Sequence, residues 1–458
     1  MTAIPVVTVG GPEDLVEGLE RLHGPVIVVR RCAELAEVLA ACQSGLARAA
    51  VVGSGTGALT ASLVDRLAAL GVAVVALADD DGEAARLRSI GAAVAGAGAA
   101  AQELAERITD AVGVRTAAVP DAADGPRHYA GAPGWPADSG VPGPTAAGMA
   151  SPGRKQRQGQ GRAGGAGQGP DGRIIAVWGP AGAPGRTIVA ANLAAEMAAS
   201  GQEVLLVDAD TYAASLAATV GLLDESAGLA QACRTADTGV FDAAALERAA
   251  VEVSFDGGRF RLLTGLTRAD RWPEVRPAAL RRVLDGSRAL AQVCIVDCGF
   301  CLEADEELSY DTVAPRRNGA TLCSLAAADT VVAVGAGDPL GIPRLVRALA
   351  GLDAAGPGAV VVVVVNKVRP GAAGRRPEHA LEAAWDRFGP GAPIARFLPW
   401  APEILDAALL AGRLLIESAP DSALRRALSA LAAELCAPAQ RIGASAVPSP
   451  TAKVGGSG

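Results

Sequence analysis

Gly179-Pro-Ala-Gly-Ala-Pro-Gly-Arg-Thr187 decides how this chain is read. It follows the apolar run Ile174 to Trp178 and precedes a helical run from Ile188 to Ser200 that Gly201 stops. Strand, glycine-rich loop, cation, hydroxyl and helix, in that order, are what a phosphate cradle requires. Small residues let backbone N–H groups approach the phosphate oxygens, and the helix N-terminus adds positive potential. Thr187 is placed to ligate Mg²⁺. Downstream, one apolar run ends in Asp208-Ala-Asp210 and a later one in Val296-Asp297, so carboxylates fall where the C-terminal ends of parallel strands converge on a nucleotide.

Working outward, the cradle opens a long βα series from residue 172 to 437. Its strands are expected at Ile174–Trp178, Val204–Val207, Arg259–Leu263, Val293–Val296, Thr330–Val334, Val360–Val365 and Ile394–Leu398. Continuous apolar runs of this kind are expected of parallel strands buried on both faces. A shorter series over residues 1–112 has runs at Val6–Val9, Val26–Val29, Ala49–Val52, Val72–Leu77 and Ala92–Ala95, which suits a five-stranded, flavodoxin-like sheet. Between the two, residues 113–171 shift to Gly, Pro, Ala and Gln around a basic knot, Arg154-Lys155-Gln-Arg157. Such a composition buries too little apolar surface to offset its ordering entropy, so this segment reads as a flexible linker with a reach on the order of 40 Å. Residues 438–458 read as a disordered tail. The fold class is therefore α/β twice over, a flavodoxin-like domain and a larger domain with a mostly parallel sheet.

Composition narrows the function. A formal net charge of −8 argues against coating nucleic acid or anionic membrane through the overall field. The longest aliphatic run, Ala359 to Val365, is too short to cross a bilayer, and Met1 opens no basic-then-apolar leader, so a cytoplasmic protein is expected, with membrane association at most peripheral. The eight cysteines lie mostly in apolar runs, which fits a reducing compartment. The only lysines are Lys155, Lys367 and Lys453.

The run from Thr187 through Asn192-Leu-Ala, Gly201, Val204-Leu-Leu-Val-Asp208-Ala-Asp210, Val296-Asp297, Ala328-Asp329-Thr-Val-Val and Asn366-Lys-Val resembles the ParA/MinD family of deviant Walker P-loop ATPases, over essentially all of residues 173–437. The resemblance implies ATP and Mg as cofactors and a homodimer as the working form. Carried over by position, it makes Gly182, Gly185, Arg186 and Thr187 the phosphate loop. Asp208 and Asp210 would position the Mg²⁺ water and the attacking water, and Asp297 would join Thr187 as the Mg²⁺-site carboxylate. Asn366 would read the adenine edge, with Pro399 and Trp400 packed beside the base.

The departures bear on chemistry. The family writes Lys-Gly-Gly-x-Gly-Lys-Thr, whereas this chain writes Ala181-Gly182-Ala183-Pro184-Gly185-Arg186-Thr187. The signature lysine, which in relatives reaches across the dimer, is Ala181, and no lysine nearby replaces it. Arg186 keeps the charge in a wider, planar head. Pro184 removes a backbone donor, and Ala183 resists the positive φ that glycine allows. These changes point to a loop better suited to holding nucleotide as a conformational signal than to rapid ATP hydrolysis.

A five-stranded domain ahead of a divergent ATPase resembles the CpaE/TadZ group, in which a receiver-like domain helps direct pilus-secretion machinery to a cell position. The implied partners are proteins of a secretion, pilus or division apparatus, and the implied location extends to the cell pole. A working receiver needs carboxylates after its first and third strands and a lysine after its fifth. Those places read Val9-Gly10-Gly11, Val52-Gly53-Ser54 and Val94-Ala95-Gly96, so the domain is a degenerate receiver without phosphotransfer.

Two other functions compete. One is a ParA-like chromosome-partitioning ATPase that binds DNA, which the acidic charge disfavours. The other is a dinucleotide-dependent enzyme, because Gly53-Ser-Gly55-Thr-Gly-Ala58 with the later Asp79 satisfies G-x-G-x-x-A plus a distal acid. Cys298-Gly-Phe-Cys301 raises redox or metal chemistry, but no second C-x-x-C accompanies it; the acidic residues after it, from Glu303 to Asp311, read as a solvated or partner-facing surface. From Ser422 to Cys436, Leu424, Leu428, Leu431 and Leu435 form a helical stripe that is expected to pack on the sheet rather than on a membrane.

Overall fold

Each of the two βα series closes into its own parallel sheet. The computed structural model describes residues 3–22, 24–55, 59–118, 172–222, 226–304, 315–355 and 358–437. The tail, nearly all of the expected linker, and Asp305, Glu306, Glu307 and Asp311 lie outside the described residues.

The front domain runs β1 (Ile4–Val9), α1 (Glu13–Arg21), β2 (Val26–Cys32), α2 (Leu35–Gln43), β3 (Ala49–Val52), α3 (Ala61–Ala69), β4 (Ala73–Ala78), α4 (Asp81–Ser89), β5 (Ala93–Gly96) and α5 (Ala101–Ala118). Its strands lie in the order β2-β1-β3-β4-β5, all parallel, which is the expected flavodoxin-like order. Helices cover both faces, so β3 and β4 are buried along their whole length. Helix α5 continues past residue 112, so the first six residues of the expected linker belong to the domain.

The second domain contains β6 (Arg173–Trp178), α6 (Arg186–Ala199), β7 (Val204–Ala209), α7 (Leu216–Thr219), α8 (Gly228–Asp237), α9 (Ala243–Ala249), β8 (Val251–Phe255), β9 (Gly258–Leu263) and α10 (Pro277–Ser287). It continues with β10 (Val293–Cys298), α11 (Gly319–Ala327), β11 (Thr330–Ala336), α12 (Gly341–Ala354), β12 (Val360–Val368), α13 (Pro370–Ala373) and α14 (Pro377–Phe388). It ends with β13 (Ile394–Pro399), α15 (Pro402–Ala411), α16 (Leu415–Ser418) and α17 (Ala423–Cys436). The sheet order is β13-β12-β11-β6-β10-β7-β9-β8, with only β8 antiparallel. All seven expected strands form, and β8 joins them through a tight hairpin in which Phe255 pairs with Gly258.

From Val189 to Ala198 helix α6 is buried continuously, with only Asn192 and Glu196 polar in that stretch. A helix apolar on every side needs cover on every side. The sheet covers one side and α17 the other, through Leu424, Leu428, Leu431 and Leu435, each buried and worth about 1.5–3 kcal/mol on transfer from water. Glu196, the one buried charge of α6, meets Arg425 of α17 in a two-pronged pair at 2.6 and 2.9 Å. The leucine stripe is thus internal. No helix among the described residues is long and apolar enough to cross a membrane.

The front domain docks on the second through helix ends. Asp237, at the end of α8, accepts from the Ser62 N–H at 2.8 Å and the Ser62 hydroxyl at 2.6 Å in the first turn of α3. Arg282 of α10 donates to the carbonyls of Ser89 and Ile90 at the end of α4, at 3.1 and 2.7 Å. An anion at a helix N-terminus and a cation at a C-terminus both oppose the helix dipole favourably. This docking also corrects the dinucleotide reading. The helix N-terminus opened by Gly53-Ser-Gly55 would have to receive a pyrophosphate, and Asp237 already occupies it. A Cβ on Gly53 would meet Gly11 N at 2.0 Å, so the turns after β1 and β3 are pressed together, and the cavity beside Gly53 and Gly55 is only about 10 Å³.

Candidate functional site

The loop after β6 is shaped by backbone geometry that its composition only partly favours. Gly182 and Gly185 take φ of 107° and 99°, and Ala183 takes 50°. The resistance expected of Ala183 is overcome, at a cost of about 1–2 kcal/mol for a side chain in the left-handed region. What holds it is contact with the neighbouring strands. A Cβ on Gly179 would meet Val334 O at 2.1 Å, and one on Gly185 would meet Asn366 Nδ2 at 2.5 Å, so both glycines are required by close approach.

Three cations surround this loop. Arg186, at the start of α6, donates to the carbonyls of Gly179 and Pro180 at 3.2 and 3.3 Å and to Asp210 Oδ2 at 3.1 Å. Lys367 Nζ donates to Ala183 O at 2.7 Å, and Arg344 of α12 lies over Gly182, where an added Cβ would meet its Nη1 at 2.7 Å. Although no lysine is near Ala181 in the sequence, Lys367 thus stands beside the loop in the fold. Lys367 arrives from the end of β12, 184 residues away, with its own φ at 61°. It directly follows Asn366, and that adjacency was the signal available in the sequence; nothing marked Arg344.

The carboxylates stand at the ends of β7 and β10. Asp208 Oδ2 accepts from the Ser215 and Leu216 N–H groups, both at 2.9 Å. Asp210 Oδ1 accepts from Tyr212 and Ala213, at 2.9 and 3.2 Å. Parallel pairing puts Asp297 opposite Asp208. Burial pushes the Asp208 carboxyl up to about 7 against the pull of the Leu216 N–H, and Asp210 adds to the rise. Asp297 is also raised well above the ordinary carboxylate range, first by complete burial and then by the Asp208 charge, against the Thr187 hydroxyl and Arg186.

Polar atoms without hydrogen-bond partners gather here: Arg186 Nε and both carboxylate oxygens of Asp297. Native proteins rarely leave such groups buried without a ligand, water or ion to meet them. The donor set fits a Mg²⁺-nucleotide. Mg²⁺ favours one or two protein oxygens completed by phosphate and water. Thr187 and Asp297 would hold the ion, and Gly182, Gly185 and Arg186 the phosphates.

Asn366, expected to read the base, stands where β12 meets the phosphate loop and lines a cavity there. Its Nδ2 donates to Pro184 O at 2.8 Å and its Oδ1 accepts from Lys367 N at 2.8 Å, so the buried amide ties β12 to the phosphate loop. Beside it opens a cavity of about 200 Å³ bounded by Ile188, Leu398, Trp400, Pro402 and Asp406; Pro399 ends β13 but is not among the lining residues. The cavity is large enough for a planar base, and Lys367 Nζ lies 5.4 Å from the Trp400 ring centre at its rim. A larger groove of about 600 Å³ between α12 and α14 has only Asp338 and Arg347 as charged lining groups; Asp338 accepts from the N–H groups at the start of α12, and Arg347 donates to a carbonyl within it.

The C-x-x-C pair does not form a site. Cys298 is fully buried and its thiol is pushed far above the ordinary range by that burial, with Asp297 adding to it. All eight cysteines are free.

The second domain is similar to several solved structures. It aligns with the cell division ATPase MinD of Pyrococcus furiosus at 20% identity and a TM-score of 0.44, covering 58% of this chain and 98% of that one. The septum site-determining MinD of Pyrococcus horikoshii, solved with Mg-ADP, aligns at 21% identity and 0.45, covering 58% and 96%. A ParA family ATPase of Chlorobium tepidum aligns at 17% and 0.47, covering 57% and 98%. No curated protein matches the chain. Residues 175–410, just over half of the chain, match the CobQ/CobB/MinD/ParA nucleotide binding domain, and the chain belongs to that family.

Proposed function

We propose that this protein binds ATP and ADP with Mg²⁺ and acts as a positioning member of its family resembling the CpaE/TadZ group, recruiting pilus-secretion or septum machinery through its front domain. The observation that carries nucleotide binding is that Arg186 Nε and both carboxylate oxygens of Asp297 are buried without hydrogen-bond partners, beside a loop ringed by Arg186, Lys367 and Arg344. Bound Mg²⁺ would neutralise phosphate charge. Thr187 and Asp297 would orient the ion, Asp208 and Asp210 its water and an attacking water, and Trp400 would flank the base.

The scaffold role is supported by two features. Arg186 is tied back to Asp210, so the loop reaches phosphate only by exchanging one buried partner for another, which suits a switch. The front domain carries glycines where a phosphorylatable receiver needs carboxylates, which leaves its surface as its function. The working form in this reading is a nucleotide-dependent homodimer. Calorimetric titration of ATP and ADP, with and without Mg²⁺, tests the first part: micromolar binding that Asp297→Asn makes Mg²⁺-independent is expected, and no binding refutes it. A fluorescent fusion tests the second. A focused position that is lost on removing residues 1–118 is expected; a diffuse distribution indifferent to that deletion refutes it.

A further inference from the structure

Both halves of the docking clamp stand on helices whose other ends support the candidate nucleotide site. From Asp208, the contact runs through Gly265, where an added Cβ would meet Asp208 Cγ at 2.8 Å. The preceding residue, Thr264, accepts from Gly228 N at 2.9 Å and so fixes the first residue of α8. At the other end of this ten-residue helix, Asp237 is delivered to Ser62.

From Asp210, a second line runs through Tyr212. Its N–H is bonded to Asp210, and its hydroxyl donates to Asn318 Oδ1 at 2.7 Å, immediately before α11. Gly319, the first residue of α11, allows the Pro277 ring to approach; an added Cβ would stand 2.7 Å from Pro277 Cγ. The Cys323 thiol donates to Pro277 O at 3.2 Å. Pro277 begins α10, which carries Arg282 to the carbonyls at the end of α4. Each carboxylate of Asp208-Ala-Asp210 is thereby joined, through packed and hydrogen-bonded groups, to one half of the clamp.

We propose that docking of the front domain on α8 and α10 is thermodynamically linked to nucleotide occupancy, with Asp237 and Arg282 as the residues that set the docked state. The inference rests on the nucleotide-binding reading above. Nucleotide requires Arg186 to leave Asp210, and the two carboxylates then change partners at the near ends of both support lines. Linkage is reciprocal: whatever factor nucleotide applies to docking, docking applies to nucleotide affinity.

The test uses the full chain, with Asp237→Ala, Arg282→Ala and the double variant, and Asp237→Asn as the conservative replacement that keeps an acceptor for Ser62. Amide hydrogen exchange at Ser62, Ile90 and Gly91 reports docking, and calorimetry reports ATP affinity in Mg²⁺. The expected results are a threefold or larger change in exchange at those amides when ATP binds the native chain, and a threefold or larger change in ATP Kd in the double variant. Asp237→Asn should lie between native and Asp237→Ala. Three results overturn the linkage: exchange that ignores bound ATP, a native ATP Kd in variants whose exchange shows release, or variants that leave exchange at Ser62 native. Absence of ATP binding to the native chain instead defeats the nucleotide reading, and the linkage with it, whereas binding without linkage defeats only the linkage.

Discussion

Arg186→Ala is the most direct perturbation of the candidate site, and its two effects can be worked out separately. In the free protein Arg186 is about 11% exposed and Asp210 about 4%, so the pair is buried. Removing one partner of a buried pair costs about 3–5 kcal/mol, mostly because the other charge is left alone. Asp210 keeps the Tyr212 and Ala213 N–H groups, which places the cost near the lower figure, about 3 kcal/mol. For a domain of this size that is a fall in Tm of about 6–12 °C. With nucleotide, the variant also lacks a charge-assisted bond to phosphate, worth about 1.5–3 kcal/mol. That corresponds to roughly 10- to 100-fold weaker ATP binding at 1.4 kcal/mol per tenfold. Arg186→Lys retains the charge but cannot span Gly179 O, Pro180 O and Asp210 together, so it should be intermediate in stability and should raise any slow hydrolysis. Differential scanning calorimetry without nucleotide and titration calorimetry with it separate the two effects. An Arg186→Ala protein that binds ATP with native affinity refutes the assignment of this loop to phosphate, whatever its Tm.

Three further substitutions read other parts of the site. Asp297→Asn removes a buried carboxylate without hydrogen-bond partners, so the free protein should keep its stability or gain about 1–3 kcal/mol in denaturant unfolding while Mg²⁺ ceases to tighten ATP binding; a clear loss of stability would show that Asp297 is structural. Gly185→Ala places a Cβ 2.5 Å from Asn366 Nδ2 at a φ of 99°, and equilibrium dialysis should find ATP binding abolished, with native affinity counting against the loop geometry. Lys367→Gly relieves a left-handed lysine worth about 1 kcal/mol yet cuts the tie to Ala183; filter binding should report several-fold weaker ATP with no loss in Tm, and equal affinity would remove Lys367 from the phosphate environment.

Much of the architecture was legible because it is written in local pattern. The apolar runs between Ile174 and Leu398 have the length and continuity of strands buried on both faces, and each became one. The missed strand, Val251–Phe255, alternates apolar and polar residues before Asp256-Gly257, a hairpin signal present in the sequence but passed over in a search for continuous apolar runs. Asp208, Asp210 and Asp297 could be placed at strand ends, and Thr187 at a helix start, because the motif spacing follows the βα repeat. Asn366 could be placed after its apolar run, whereas its bond to Pro184 could not, since an amide's partners depend on which loop lies opposite.

The phosphate loop, the strand ends that carry its carboxylates and the doubly wound character of both sheets were determined by the sequence itself, because each depends on residues within a few positions of one another. Tertiary structure alone decided that Arg186 pairs with Asp210, that Lys367 and Arg344 supply charge around Gly182, and that Asp237 fills the helix N-terminus a dinucleotide would have needed. Those groups lie up to 184 residues apart, and what brings them together is sheet order and helix packing, which no local spacing encodes.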